Sequence, residues 1–237
     1  MIKYKLTDQN LQTHEGFQWE IGKWVKAKGK LKQNLCSDGW LHCYDSPLLA
    51  ALHNPIHANI NNPKLWEVEV GGRCKNDKGL KCGYRKMQLI REIPIPIISM
   101  NQRIAYGILC AKEVVTDKAW NIWADDWLSR RNRTVAAAYA AARAAYDADD
   151  AYAAAHAAAD VAYAAADAAY AAEAAYAAAH AAYDAYAAYA ACAAYAAVTT
   201  TAATATAAAV TARASIKPIN FVKLAKQAIK FERMRKC

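Results

Sequence analysis

Between Gly107 and Pro218 the chain has neither glycine nor proline, so over 110 residues no backbone chemistry interrupts a helix. Short catalytic signatures are also missing. There is no Gly-x-x-x-x-Gly-Lys phosphate loop and no glycine fingerprint for a dinucleotide, which excludes those two nucleotide-binding designs. No Ser-His-Asp or Cys-His arrangement can be certified from spacing, and no catalytic residue is assigned. The opening MIKYKLTDQN lacks an apolar core segment, so no secretory signal is expected. Seven cysteines form no even framework. Cys36 and Cys43 are seven apart and Cys74 and Cys82 eight apart, a poor match to the C-x2-4-C knuckles of zinc sites. Free thiols, no metal, no cofactor and a cytoplasmic location are the expectation.

What is present is segregated. Residues 136–197 hold 40 alanines in 62 positions, with Tyr, Asp, Glu and His recurring every three or four residues. Alanine is the best helix former, so residues 134–215 are expected to be a helical assembly region, either a rod or a folded-back hairpin. Unbroken, it would extend roughly 120 Å at 1.5 Å per residue. Asp160, Asp167, Glu173 and Asp184 recur too often for lipid, so no transmembrane segment is expected. A polar residue precedes a tyrosine by three positions at Asp160/Tyr163, Asp167/Tyr170, Glu173/Tyr176 and His180/Tyr183. Both members share a face, and a tyrosine stripe on a methyl-covered helix points to a homo-oligomer. Val198 to Thr211, rich in threonine, is the weakest helix former of this region.

Net charge is +7 over residues 1–118, −5 over 119–212 and +7 over 213–237. The two basic regions attract anions, whether nucleotides, nucleic acid or acidic proteins. Residues 216–237 are expected to be a basic amphipathic tail, with Ile219, Val222, Ala225 and Ile229 on one side and Lys223, Lys226, Lys230, Arg233 and Arg235 elsewhere. Such a tail can touch nucleic acid or pack on the acidic segment of its own chain.

The fold class expected is α+β, with residues 1–118 as a small sheet-containing, ligand-binding head. Strand-like runs fall at Ile2 to Leu6, Gly22 to Ala27, Trp40 to Tyr44, Leu65 to Val70 and Lys86 to Ile93, each bounded by turn-forming residues. Ser46-Pro47 reads as a helix start, and Ser99 to Val115 as a helix. Residues 119–133 carry Trp120, Trp123 and Trp127 on one helical stripe, expected to dock the rod onto the head.

Within the head, Gly16-Phe17-Gln18-Trp19-Glu20-Ile21-Gly22 precedes Cys36, Gly39-Trp40-Leu41-His42-Cys43 and Pro47. This order resembles an uncharacterised domain recurrent in bacteriophage and prophage proteins, which often precedes low-complexity repeats. The resemblance implies a phage accessory protein in the host cytoplasm. A second resemblance, to ADP-ribosyltransferase-type folds, implies that Gly39, Trp40, His42 and Tyr44 border a pocket for an ADP-ribose-like ligand. No equivalent of that family's catalytic glutamate is present. Beside these, Arg73 to Gly79 with Lys81, Arg85 and Lys86 form the densest basic patch, where the guanidinium forks of Arg73 and Arg85 can clamp phosphate and Tyr84 can stack on a base. The candidate ligand-binding set is therefore Trp19, Lys23, Trp40, His42, Tyr44, Arg73, Tyr84 and Arg85. The expected function is capture of a small nucleotide-like anion, such as a host defence signal, without turnover. The alternatives are an ADP-ribosyltransferase-like enzyme and a structural or nucleic-acid-associated phage protein.

Overall fold

A computed structural model of the 237-residue chain describes residues 1–31, 34–77, 79–113, 115–147, 162, 165 and 219–231. The chain divides into two compact units. The first is Met1–Ile97 with Asn220–Ala225, and the second is Ile98–Ile219 with Lys226–Cys237. The division falls near residue 97, so the Ser99 to Val115 segment belongs with the helices that follow it.

The first unit is an antiparallel sheet with one helix. Its strands are β1 (Ile2–Thr7), β2 (Gln12–Thr13), β3 (Phe17–Gln18), β4 (Val25–Lys26), β5 (Leu41–Cys43), β6 (Lys64–Asn76) and β7 (Cys82–Ile93), with helix α1 at Pro47–His57. β6 and β7 form a long hairpin, β1 pairs with the outer edge of β6, and β2 pairs with β3 as a separate two-stranded ribbon. The second edge of β7 is shared along its length. Cys82 to Tyr84 face β5, Lys86 and Met87 face β4, and Leu89 bridges Ile21. Tyr4 and Tyr44 exchange backbone hydrogen bonds of 3.0 and 2.8 Å, which join β1 to the end of β5 and close the path β1-β6-β7-β5 into a ring.

Alternation explains the core. On β6 Val68 and Val70 point inward, and on β7 Met87 and Leu89 do so, while Lys86, Gln88 and Ile90 face the other way. Two register shifts interrupt the hairpin. Val68 pairs with Leu89 and Glu67 with Arg91, so Ile90 is the extra residue. Further along, Gly72 and Arg73 together oppose Arg85, and Gly72 holds φ at 77°, where a β-carbon would meet that of Arg85 at 3.2 Å. That is a bulge of the kind glycine permits, and it lets the hairpin continue through a stretch that reads as a loop. Gly83 is required for close approach. A β-carbon there would collide with Leu35 and stand 2.8 Å from that of Trp40.

α1 starts as its sequence indicates, with the Ser46 hydroxyl accepting from the Leu48 N–H at 3.2 Å and Pro47 in the first position. Of the five strand-like runs, only Gly22 to Ala27 shortens markedly, to two paired residues.

In the second unit α2 (Met100–Lys112) begins with a capping box between Ser99 and Gln102. α3 (Lys118–Leu128) is capped by Asp117, which accepts from the Trp120 N–H at 2.6 Å, and α4 covers Val135–Asp147. Trp120, Trp123 and Trp127 are all buried, as one apolar stripe requires. α5 (Phe221–Lys230), whose residues through Ala225 belong to the first unit and from Lys226 onward to the second, buries Phe221, Leu224, Ala225 and Ala228 and exposes Lys223, Lys226 and Lys230. Its C-terminal end is held by Gln102 Nε2 donating to the Ile229 carbonyl at 2.9 Å. Phe231 stacks on Trp127 at 5.7 Å, with the Arg133 guanidinium 4.2 Å from the indole. Of the tail's apolar side, Ile219 and Ala225 are buried and Val222 and Ile229 half-buried.

Among the described residues no helix is long and apolar enough to cross a membrane. The tyrosine repeat, the Val198 to Thr211 segment, and Arg233 and Arg235 lie outside the described residues.

Candidate functional site

Five of the eight residues expected at a ligand site gather around β5 and the start of β7. His42 pairs with Gly83 and Tyr84 with Leu41, Trp40 lies against Gly83, Tyr44 closes the ring, and Arg85 reaches Gly39. Most are there for packing. Trp40, Tyr44 and Tyr84 are buried, so none offers a stacking face, and Trp19 is buried with its Nε1 donating to the Thr13 hydroxyl at 3.0 Å. Lys23 and Arg73 are exposed, Arg73 in the bulge opposite Arg85 and Lys23 in an ion pair with Glu20 at 2.7 Å.

Arg85 does not present its guanidinium to a ligand. It donates to the carbonyls of Gly29 at 2.7 Å, Ala27 at 3.1 Å and Gly39. A rigid five-donor fork suits three converging carbonyls, and here it ties the segment between β4 and β5 to the sheet. The cationic residue that reads as a phosphate clamp is therefore a structural clasp.

A different cluster has the properties of a site. His53 and His57 are four apart on α1, so both imidazoles project from one helix face, with ring centres 5.2 Å apart. Tyr44 stacks on His57 at 6.0 Å and lies 6.4 Å from His53. His42 Nε2 is hydrogen-bonded to the Leu35 carbonyl, which fixes the ring. The charge of Lys81 acts on all three imidazoles, and its ammonium donates to Cys36 Sγ at 3.1 Å. Burial, aided by Lys81, lowers His42 and His57 to about 4; burial and the neighbouring His57 lower His53 to about 3. At neutral pH the three rings of the cluster are thus uncharged. His57 Nδ1 is buried with no hydrogen-bond partner among the described residues.

Beneath it lies a second buried cation. Lys5 donates to the His42 carbonyl at 2.9 Å and sits 4.7 Å over the Trp19 ring, and burial lowers it to about 8. Cys43, beside it, is pushed up to about 12 by burial. Neither is placed to act on a molecule from outside. Among the described residues no group of His, Cys, Asp and Glu has the arrangement of a metal site.

The arrangement offers the Lys81 amine and the His57 ring, while His42 gives its N–H to the Leu35 carbonyl and also feels the charge of Asp77. His53 and His57 carry a signal the sequence does contain, a four-residue spacing behind a capped helix start, but it is meaningful only once Lys81 is folded against them.

No curated protein and no solved structure matches the chain. The similarity that does exist covers the sheet unit and α1, the part that holds the histidine cluster: residues 1–100 match the family described as a domain of unknown function, DUF7666.

Proposed function

We propose that the N-terminal unit captures a small nucleotide-like anion at the face formed by His42, His57 and Lys81, without chemical turnover. The observation that carries this reading is Lys81, an ammonium set among neutral imidazoles, with the buried His57 Nδ1 awaiting a partner. An anionic oxygen would take the charge of Lys81 and a hydrogen bond from the His57 ring, and burial of the site would strengthen both. In a phage setting such capture would sequester a host signal.

Isothermal calorimetry against ADP-ribose and cyclic nucleotides tests it. One ligand per chain is expected, with Lys81→Met weakening binding at least about tenfold, the cost of a charge-assisted contact. Silence across the panel at high protein concentration would sink the reading. An ADP-ribosyltransferase-like activity would instead leave a covalent label from NAD on protein in a host lysate.

The alanine-rich segment is proposed to join copies of the chain through its tyrosine stripe. Light scattering is expected to give a mass above the monomer, and changing Tyr163, Tyr170, Tyr176 and Tyr183 to alanine is expected to reduce it while helicity persists. An unchanged oligomer would remove the stripe from the interface.

A further inference from the structure

The outer face of the sheet at β4 pairs like with like. Lys26 on β4 stands directly opposite Lys86 on β7, both exposed. Side chains so paired have β-carbons about 5 Å apart, and like charges there destabilise a sheet. Elsewhere in this unit comparable cations find carboxylates. Lys23 pairs with Glu20, Arg91 with Glu67 and Lys64 with Glu92. Lys26, Lys86 and Arg73 form no ion pair among the described residues. Arg73, in the bulge opposite Arg85, belongs by register to the other face of the hairpin.

An aromatic surface lies among these charges. A β-carbon on Gly71 would stand 3.7 Å from two atoms of the Trp24 ring and 3.9 Å from the β-carbon of Lys86. The indole therefore rests on the bare glycine backbone, on the same face as Lys86, and remains 46% exposed. Glu69, next along that face, is engaged by Gln88 Nε2 at 2.8 Å.

Exposed indole beside unpaired cations is the combination that binds a flexible polyanion with flat bases. The ring stacks on a base while the two lysines take the flanking phosphates, and bound phosphates relieve the Lys26–Lys86 repulsion. We propose that the face made by Trp24, Lys26 and Lys86 binds single-stranded nucleic acid. This surface is separate from the histidine cluster and does not depend on the reading given for it.

The test is fluorescence anisotropy with the full chain and a labelled oligothymidylate of about fifteen residues, alongside a duplex of equal length and a heparin fragment. Two phosphate contacts predict a log–log salt slope of about −1.4, or about a sevenfold loss of affinity from 50 to 200 mM salt. Trp24→Ala is expected to weaken the oligonucleotide about tenfold and leave heparin unaffected. Lys26→Gln with Lys86→Gln is expected to flatten the salt slope to near zero. The melting temperature of that double variant should hold or rise, because a like-charge pair is gone. A misfolded variant would show a fall instead, and the single Lys86→Gln change then supplies the binding comparison. The proposal is overturned by any of three results: no binding at 50 mM salt, duplex bound as tightly as single strand, or a salt slope unchanged in the lysine variants, which would put binding elsewhere on the chain.

Discussion

Replacing Arg85 by alanine is expected to cost the N-terminal unit about 4 kcal/mol, read as a large drop in its denaturant midpoint. The side chain donates to the carbonyls of Ala27, Gly29 and Gly39, and hydrogen bonds from a charged donor are worth roughly 1.5–3 kcal/mol each, less where water can replace the donor. Without the guanidinium, water must satisfy the three carbonyls and the chain between β4 and β5 loses its tie to β7. Arg85→Lys should recover less than half of the loss, because one ammonium cannot reproduce a planar fork aimed at three acceptors. If Arg85→Ala unfolds at the wild-type midpoint, the clasp contributes nothing and the residue is free for a ligand after all.

Acidification from pH 7 to 4.5 should destabilise the same unit by on the order of 5 kcal/mol, enough to bring it close to unfolding. His42 and His57 titrate at about 4 and His53 at about 3 in the fold, against an ordinary value near 6.5. Between about pH 6.5 and 4 the unfolded chain therefore binds protons that the folded chain refuses. Stability rises with pH across that window, is fully present above it, and is lost as pH falls through it. The cations facing these rings act in the same sense, Lys81 on all three and Lys5 on His42, with the Leu35 carbonyl and, less, Asp77 opposing at His42. Circular dichroism melts at half-unit steps of pH would show the slope, and His53→Gln should flatten it by roughly a third. A melting temperature constant from pH 7 to 5 would mean that the imidazoles are solvated.

Both effects involve residues whose roles were only partly legible in the sequence. β1, β5, α1 and α2 were readable because their signals are local: alternation, a Ser-Pro start and a serine–glutamine capping pair. The hairpin runs further than its composition indicates, because Gly71-Gly72-Arg73-Cys74-Lys75-Asn76 has loop composition, yet the bulge at Gly72 keeps it paired through Asn76. The surroundings of Arg85 are hidden for a related reason. Whether a guanidinium meets solvent or three carbonyls depends on where the chain from Ala27 to Gly39 returns, and composition does not encode that. The burial of Trp40 and Tyr44 follows from ring closure, which no window of sequence displays. The partners that complete the histidine cluster, His53, His57 and Lys81, are scattered over α1 and the entry to β7.

The ring made by β1, β6, β7 and β5 also sets an order of events. Its first strand pairs with residues 64–69, and β5 pairs with residues 82–84, so neither receives its main partner until the long hairpin exists. Such distant contacts must meet the entropy of closing large loops before they return anything, which makes assembly slow and nearly all-or-none. During synthesis the earliest-made segment must wait, unzipped, for more than half a hundred residues to leave the ribosome. The unit is then most open to chaperones and proteases just before Ile93 emerges.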